Sequence, residues 1–224
     1  MLKIGHRGAP FYAPENTLTS FRKAIALGAD GIELDVHLCK SEEVVVIHDE
    51  RVDRTTSSTG EISDLTLTQV RSIKMLDGEH IPTLRETIEA LGRDIYYFIE
   101  IKLVEAALPA AEIVRQYISQ GWQAERLYLI SFDHEALRLV ARNFPELYLG
   151  ASFEDLREDS IAEAKSLGAR AIIPYYLTLE PEYVDAAHRL GIDVIPWTVN
   201  NTEDIAQLAA MQVDGIISDY PERL

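Results

Sequence analysis

Three acidic residues stand inside apolar runs of this sequence, where a charge is hard to accommodate. Glu33 and Asp35 lie two residues apart in GIELDV (31–36), and Glu100 lies in FIEIK (98–102). Residues two apart on a strand share a face, and a buried charge is costly unless it is paired or bound to a metal. A buried ion-pair network is one interpretation. The second interpretation is a metal site. Converging carboxylates without cysteine favour a hard divalent cation such as Mg²⁺ or Ca²⁺.

Basic and imidazole side chains occur at the ends of the same kind of run. His6 and Arg7 follow the first apolar residues, Lys102 closes FIEIK, and His48 ends a valine-rich run. Three carboxylates, a divalent cation, one arginine and one lysine sum to +1, which a monoanionic phosphodiester would neutralise. Arginine offers a planar fork to phosphate oxygens and lysine a point charge. The two histidines are suited to proton transfer near neutral pH.

Composition bounds the class of protein. The chain has 224 residues, 47% of them hydrophobic, which is enough for one core. Its net charge of −16 argues against nucleic acid or an anionic membrane surface as a partner. The single cysteine, Cys39, fits a reducing compartment, and the N-terminal residues have no signal-peptide pattern. We expect a cytoplasmic protein without integral membrane association, and a small molecule as its partner.

Four similar passages indicate a repeating strand and helix unit. Each has a helix-like end, a turn and a β-branched run, a pattern typical of parallel strands covered by helices. The passages are LGADGIELD (27–35), LGARAIIP (167–174), LGIDVIPW (190–197) and MQVDGIISD (211–219). Nine strands are predicted in all, over residues 2–6, 31–37, 44–48, 96–101, 127–131, 147–151, 171–174, 193–198 and 214–218.

The second and third of these runs are predicted to form a hairpin. Only KSEE (40–43) separates them, whereas a parallel crossover needs roughly a dozen residues or more. In such a hairpin Asp35 lies roughly opposite His48. Eight parallel strands remain, and the pattern predicts an α/β fold, a (β/α)₈ TIM barrel, with its chemistry at the C-terminal ends of the strands. Asn200 and Asp219 also fall at such ends, without an indicated role.

Residues 50–82 interrupt the repeat. The stretch RTTSSTG (54–60) is polar, and Thr68 is placed to cap one short helix ending near Lys74. We expect a small insertion over the barrel mouth that is not a separate domain. Residues 1–224 would then form one TIM-barrel catalytic domain.

Seven short motifs occur in a fixed order along the chain. In that order they resemble the glycerophosphodiester phosphodiesterase family, of the cytoplasmic bacterial type. The motifs are GHRG (5–8), PENT (14–17), ELDV (33–36), HD (48–49), PTL (82–84), EIK (100–102) and WTVN (197–200). The resemblance implies a distorted TIM barrel that hydrolyses glycerophosphodiesters to sn-glycerol 3-phosphate and an alcohol.

The resemblance also implies a role for individual residues. It implies His6 and His48 as the general acid and base, Glu33, Asp35 and Glu100 as metal ligands, Arg7 and Lys102 as phosphate contacts, and Glu15 and Asn16 as supports on the metal side of the site.

Three further residues are candidates with alternatives open. Asp49 either orients His48 or caps its loop. Phe132 and Trp197 either pack on the glycerol or the leaving group, or close the top of the barrel.

Three other functions are alternatives for this sequence. A phospholipase D-like or other phosphodiesterase shares a similar barrel, but it needs a lipid-facing apolar or basic surface. A second alternative is an enzyme of a different class, a Schiff-base aldolase that uses Lys102. A third alternative is a barrel that binds a ligand without turnover. The attacking oxygen is water or the neighbouring glycerol hydroxyl. The order of the two histidines, the head group, the metal and the oligomeric state stay open.

Overall fold

A computed structural model describes residues 1–75 and 78–224 of the chain, in which strands and helices alternate. The elements in chain order are β1 (Leu2–Gly5), α1 (Leu18–Ala26), β2 (Gly31–Leu38), β3 (Val44–Val46), α2 (Leu67–Ser72), α3 (Leu84–Leu91), β4 (Tyr96–Ile101), α4 (Ala107–Ser119), β5 (Leu127–Ser131), α5 (His134–Asn143), β6 (Tyr148–Phe153), α6 (Ser160–Ser166), β7 (Ala171–Pro174), α7 (Pro181–Arg189), β8 (Asp193–Val194), α8 (Thr202–Ala210) and β9 (Gly215–Ser218).

Eight of the strands form a parallel sheet that closes on itself. The order is β8-β7-β6-β5-β4-β2-β1-β9. Backbone hydrogen bonds join its two ends. The N–H of Asp214 donates to the carbonyl of Val194 at 2.9 Å, and the N–H of Ile217 donates to the carbonyl of Pro196 at 3.0 Å. The predicted TIM barrel is therefore confirmed, and the C-terminal ends of all eight strands meet at one mouth.

The strand β8 is shorter than predicted. The sequence pattern covers residues 193–198, but regular pairing covers only Asp193–Val194. The ladder toward β7 continues, since the N–H groups of Ile195 and Trp197 donate to that strand at 2.9 and 3.0 Å. Pro196 has no N–H to offer the opposite neighbour, so it ends the regular strand without opening the barrel.

The hairpin of β2 and β3 is antiparallel, as predicted, but its register differs by one residue. The N–H of Ile47 donates to the carbonyl of Asp35 at 3.0 Å, so Asp35 lies opposite Ile47 and not His48. The cause is a three-residue turn over residues 40–42, in which Glu42 adopts a left-handed backbone with φ of +63°. This turn type is common in hairpins and fixes the register.

Apolar side chains fill the barrel on both sides of the sheet. Outside, side chains such as Phe21, Leu34 and Tyr97 are fully buried between strands and helices. Inside, a second cluster closes the barrel below the mouth; it consists of Ile4, Phe98, Tyr128, Ile130, Ala171, Ile173, Ile195 and Ile217. This inner cluster separates the mouth from the opposite end of the barrel. Within residues 1–75 and 78–224, no helix is long and apolar enough to cross a bilayer.

The described residues of segment 50–82 pack with the hairpin of β2 and β3 around a further apolar cluster outside the barrel core. The cluster consists of Cys39, Val45, Ile47, Val52, Ile62, Val70, Ile73, Met75 and Ile81. Its helix α2 begins after Thr66, and the predicted cap at Thr68 is wrong. The Thr66 side chain accepts from the backbone of Gln69, and the Gln69 side chain accepts from the backbone of Thr66, a reciprocal box that Thr68 cannot form. The organisation of the chain as one domain stays a prediction.

The turn after β1 is held against helix α1 by one serine. The Ser20 hydroxyl donates to the carbonyl of Arg7 at 3.0 Å and accepts the N–H of Ala9 at 2.8 Å. Gly8 lies between them with φ of +91°, and a Cβ on it would overlap Ser20. Glycine is therefore required here for its backbone conformation and for this close approach. The turn fixes where His6 and Arg7 enter the mouth.

We expect Gly8→Ala to destabilise the protein more than Gly28→Ala. Gly28 has a similar φ of +94°, but a Cβ there meets nothing within 4 Å. Gly28→Ala should cost about 1–2 kcal/mol for the left-handed backbone, and Gly8→Ala a further ~1–3 kcal/mol for overpacking against Ser20. Urea unfolding of both variants measures the difference. Equal losses would show that the contact with Ser20 relaxes freely.

Candidate active site

The mouth of the barrel gathers the charged residues that the sequence pattern placed at strand ends. Oxygen atoms of Glu33, Asp35 and Glu100 all lie within 4.8 Å of one another. Glu33 and Asp35 are buried in β2, and Glu100 comes from the neighbouring β4, where it pairs in register with Asp35. Adjacent parallel strands therefore bring together carboxylates that are far apart in the chain. These three residues could hold one divalent metal ion.

The electrostatics of this carboxylate cluster fit a cation. Burial, with repulsion from Asp35 and Glu100, raises the pKa of Glu33 well above its ordinary value. Burial and Asp35 also raise the pKa of Glu100. For Asp35, burial alone would raise the pKa, but Lys102 and Arg7 outweigh it and the pKa is lowered. Carboxylates this close cannot all ionise without more positive charge nearby, and a hard cation would supply it.

Arg7 is anchored by three acidic residues. Its backbone is left-handed, with φ of +52°, and its N–H donates to Glu33 Oε2 at 2.9 Å. The side chain donates from Nη1 to Glu15 Oε1 at 3.0 Å. Its Nε lies 3.3 Å from Asp35 Oδ2, but that buried N–H has no hydrogen-bond partner among the described residues. Glu15 therefore supports the arginine side of the site, and its hydrogen bond is to Arg7 and not to a residue of the carboxylate cluster.

Two neighbours hold the carboxylate cluster in place. Lys102 Nζ lies 2.6 Å from Glu100 Oε1 and 3.4 Å from Asp35 Oδ1. Burial would lower the pKa of Lys102, but Glu100 and Asp35 raise it, so the ammonium stays charged. Asn16 donates from Nδ2 to Asp35 Oδ2 at 2.8 Å and accepts the backbone N–H of Asp35 at 3.3 Å. This buried amide fixes the orientation of the aspartate.

His6 is held by a chain of polar contacts from the last strand. Its Nδ1 lies 2.7 Å from Asp219 Oδ1, and its Nε2 lies 4.0 Å from Glu33 Oε2. Asn200 donates from Nδ2 to Asp219 Oδ2 at 2.7 Å and accepts the Asp219 N–H at 2.9 Å. Burial would raise the pKa of Asp219, but hydrogen bonds from His6 and Asn200 lower it, which keeps it ionised.

His48 has a carboxylate partner of its own. Its Nδ1 lies 2.6 Å from Asp49 Oδ1, so Asp49 contacts the imidazole, as one of the two interpretations of the sequence expected. Burial lowers the pKa of His48 despite the nearby Asp35. The pKa of Asp49 is lowered, first by a hydrogen bond from Arg54 and then by His48. Both histidines of the mouth thus present Nδ1 to an ionised aspartate.

Arg54 joins the two sides of the mouth, a role that the sequence analysis missed. It donates from Nε and Nη2 to Asp49 at 2.7 and 3.0 Å. It also donates from Nη1 and Nη2 to Glu15 at 2.9 and 2.7 Å. The polar stretch 54–60 resembles a solvated loop in sequence. The only available signal was a lone arginine five residues after Asp49.

Two openings flank His6. The inner cavity has about 240 Å³ of empty space and is lined by His6, Glu33, Glu100, Ile130, Phe132, Ser152, Ile173, Trp197 and Ile217. The outer pocket is more open and is lined by His6, Arg7, Pro10, Phe11, Glu15, Asp219 and Tyr220. The rings of Phe132 and Trp197 meet edge to face, with centroids 5.1 Å apart, and form the apolar wall of the inner cavity.

The sequence profile of the glycerophosphoryl diester phosphodiesterase family matches residues 6–223. The chain belongs to this family. It is 38% identical to a glycerophosphodiester phosphodiesterase of Caldanaerobacter subterraneus subsp. tengcongensis over 233 residues, covering 100% of this chain and 96% of that relative. It is 32% identical to a glycerophosphodiester phosphodiesterase of Bacillus altitudinis over 239 residues, covering 100% and 96% of the two chains. The family resemblance of the seven motifs is therefore confirmed, and the chain is a phosphodiesterase.

Solved structures of the family share the fold. A glycerophosphodiester phosphodiesterase from Thermotoga maritima superposes with a TM-score of 0.83 at 30% identity, covering 99% of this chain and 96% of that one. A phosphodiesterase from Oleispira antarctica, solved in complex with the product sn-glycerol-3-phosphate, superposes with a TM-score of 0.89 at 25% identity. That comparison covers 98% of this chain and 93% of the other.

Proposed function

We propose that this enzyme hydrolyses glycerophosphodiesters to sn-glycerol 3-phosphate and an alcohol, with a divalent metal ion and two histidines as proton carriers. One observation carries the proposal. Three carboxylates within 4.8 Å of one another lie beside His6, and both His6 and His48 are held by an aspartate. The product bound to the Oleispira antarctica relative supports the choice of substrate.

Glu33, Asp35 and Glu100 would hold the metal. Their donor atoms are all carboxylate oxygens, which suits Mg²⁺ or Ca²⁺ rather than a softer ion. When bound, the metal acts as a Lewis acid that polarises a phosphate oxygen. Its charge also relieves the mutual repulsion that raises the pKa of Glu33 and Glu100.

Arg7 and Lys102 would bind the phosphate. Both are charged and largely buried at the mouth, and the buried Nε of Arg7 retains an N–H without a partner among the residues described. Preorganised cations in such a site stabilise the charge that builds on phosphoryl oxygens in the transition state. The charges of Arg7, Lys102, the three carboxylates and a divalent ion sum to +1. A monoanionic diester would neutralise this net charge.

His6 and His48 would move the protons. In each, Nδ1 faces an ionised aspartate, which accepts a hydrogen bond, so Nδ1 carries its hydrogen and Nε2 exchanges the proton. One imidazole takes the proton of the attacking oxygen, from water or from the glycerol hydroxyl next to the phosphate. The other gives a proton to the oxygen of the leaving alcohol.

The two openings beside His6 suit the two ends of a diester. The narrow inner cavity, walled by Phe132 and Trp197, would receive the glycerol end. The open outer pocket, walled by Phe11 and Tyr220, would receive the alcohol that differs between substrates. A cytoplasmic location, which the single cysteine favours, and the absence of nucleic-acid partners, which the net charge of −16 favours, stay predictions.

The structure disfavours the aldolase alternative. A Schiff-base lysine needs a depressed pKa to attack as a free amine. The pKa of Lys102 is raised instead, and its Nζ is 2.6 Å from Glu100. A binding barrel without turnover is also disfavoured, since both histidines, three carboxylates and two cations are present together. A lipid-directed phosphodiesterase would need a basic or apolar surface that this acidic chain does not favour.

A coupled assay for sn-glycerol 3-phosphate tests the proposal. Glycerophosphodiesters with several head groups are supplied, with and without EDTA. We expect product from at least one of them, and its loss on chelation with recovery on adding Mg²⁺ or Ca²⁺. Activity that survives EDTA would contradict the metal, and trapping by borohydride would indicate the aldolase. Cleavage of intact diacyl phospholipids in place of these deacylated diesters would point to the lipid-directed phosphodiesterases instead.

We expect Arg54→Ala to lower kcat by about tenfold with little change in KM. The four hydrogen bonds of Arg54 fix Asp49, which in turn orients His48, and hydrogen bonds to charged groups contribute roughly 1.5–3 kcal/mol each when truncated. Arg54→Lys keeps the charge but not the fork, so it should recover only part of the rate.

Arg51→Ala is the matched control for this prediction. Arg51 lies in the same segment, and among the described residues its ion pairs are with the exposed Asp53 and Glu61, neither of which contacts a histidine of the mouth. We expect it to keep the parent rate. An equal loss in both variants would mean that the segment contributes through its folding and not through the position of His48.

A further inference from the structure

Ser152 carries a buried hydroxyl that the fold does not use. The residue lies in β6 and is 3% exposed, and its Oγ has no hydrogen-bond partner among the described residues. Leaving a buried hydroxyl unpaired costs about 1–3 kcal/mol. Unpaired buried hydroxyls are rare in folded proteins, and each calls for an explanation. One explanation is a ligand that completes the hydrogen bond.

The other serines at strand ends of this barrel are satisfied within the protein. The Ser131 hydroxyl at the end of β5 donates to the carbonyl of Ile101 at 2.6 Å and accepts the N–H of Asp133 at 3.0 Å. The Ser218 hydroxyl at the end of β9 lies 3.1 Å from Asn200 Oδ1. Ser152 differs from both, because it lines the inner cavity with Ile130 and Ile217. Ser131 and Ser218 each follow one of these two inward-facing residues, so they lie on the opposite face of the sheet.

Ser152 is one of the residues that line the inner cavity of the active site. Its polar neighbours on that cavity are His6, Glu33 and Glu100, and the rest of the wall is apolar. The two proposed phosphate contacts do not line it. Carboxylates without a balancing basic side chain make this cavity unfavourable for an anionic group. It suits a neutral group with an apolar face and a polar end.

We propose that Ser152 binds the terminal hydroxyl of the glycerol moiety and thereby makes the enzyme selective for glycerol among diesters. The proposal rests on the proposed function and adds a specificity residue to it. With the phosphate held outside the cavity, the far end of the glycerol reaches in. Its carbon chain packs on Phe132 and Trp197, and a serine both donates to and accepts from a hydroxyl.

The inner cavity is small, so it suits only a slender, neutral group. The larger and variable alcohol is better placed in the open pocket on the other side of His6. Sites that hydrogen-bond a substrate hydroxyl reject the analogue lacking it, because a buried polar group is then left unpaired.

The test compares two substrates and two enzymes. The substrates are glycerophosphocholine and the analogue in which propane-1,2-diol replaces glycerol, so that only the terminal hydroxyl is missing; released choline is measured for both. We expect the parent enzyme to prefer the glycerol diester by at least about tenfold in kcat/KM. Ser152→Ala should lose about tenfold on the glycerol diester and nothing on the analogue, so the preference disappears.

Two further measurements separate binding from structure. Without ligand, Ser152→Ala should melt at the same or a higher temperature, because it removes an unpaired buried hydroxyl. Ser119→Ala is the control variant. The hydroxyl of that exposed serine donates to the carbonyl of Gln116 in its own helix, and both activities should stay unchanged. Equal losses on the two substrates, or none on either, would overturn the proposal.

A binding measurement keeps this proposal distinct from the proposed function. Calorimetry compares sn-glycerol 3-phosphate with the phosphate monoester of propane-1,2-diol on the parent and on Ser152→Ala. A parent that binds the glycerol ester about tenfold more tightly, with that preference lost in the variant, supports Ser152 even if no diester is hydrolysed. Equal affinities in the parent would refute the role of Ser152 in binding the glycerol hydroxyl. The proposed hydrolysis of glycerophosphodiesters would still be tested separately by the coupled assay.

Discussion

Replacing His48 with alanine should lower kcat by about 10²–10⁴, and replacing His6 should do the same. Each imidazole lies at the mouth with Nδ1 on an aspartate, 2.7 Å from Asp219 for His6 and 2.6 Å from Asp49 for His48. Removing either leaves one proton transfer without a carrier. The fold should persist, because both side chains are partly exposed and lie outside the apolar clusters.

Turnover of glycerophosphocholine and urea unfolding together check this prediction. His188→Ala is the matched control, since that histidine pairs with Asp214 on the outer side of the barrel, at the end of α7, and should keep the parent rate. A substrate with a p-nitrophenyl leaving group then assigns the roles. It needs no proton to depart, so the variant of the general acid recovers most of its rate and the variant of the base does not. Parent rates in His48→Ala would refute the assignment.

Replacing Glu33 with glutamine should remove metal binding while sparing the stability of the metal-free protein. Burial and two neighbouring carboxylates raise the pKa of Glu33, so its charge is unfavourable without a cation. The amide oxygen of glutamine can still accept the N–H of Arg7. At a metal concentration about 100 times the dissociation constant, the parent gains about 2.7 kcal/mol of stability. A roughly 100-fold loss of affinity leaves about 0.4 kcal/mol of that gain.

Thermal unfolding with and without Mg²⁺ or Ca²⁺ measures this effect, and turnover should fall with the loss of metal. Glu112→Gln is the control, because Glu112 is a surface residue of α4 paired with Arg115; it should respond to metal like the parent. A Glu33→Gln variant that unfolds more easily without metal would indicate that the carboxylate cluster is a structural ion-pair network. A metal-dependent shift equal to that of the parent would place the cation elsewhere.

Much of the site could be predicted because parallel strands end at one edge. Glu33 and Asp35 share a face of β2 by the two-residue period, and Glu100 pairs beside them on β4. An apolar run predicts a buried strand, and an acidic residue within that run indicates a charge that needs a partner. The barrel, the hairpin and the meeting of these carboxylates follow from such patterns.

The contacts that hold His6, and those of Arg54 with Asp49, could not be predicted, because they depend on side-chain geometry across separate segments. Asp219 and Asn200 were visible as polar residues at strand ends, but their mutual hydrogen bonds depend on how the barrel closes. Arg54 lies in a polar stretch whose composition resembles a solvated loop. The register of the hairpin turned on a single left-handed residue, Glu42, which no propensity singles out.

The central claim is that Glu33, Asp35 and Glu100 share one cation beside the two histidines. Crystals grown with Mn²⁺, an oxygen-binding ion that substitutes for Mg²⁺, allow the ion to be located by its anomalous scattering. We predict one anomalous peak at the mouth, in contact with an oxygen of each of the three carboxylates. A mouth without a peak, or a peak held by other residues while these three stay paired with Arg7 and Lys102, would contradict the account.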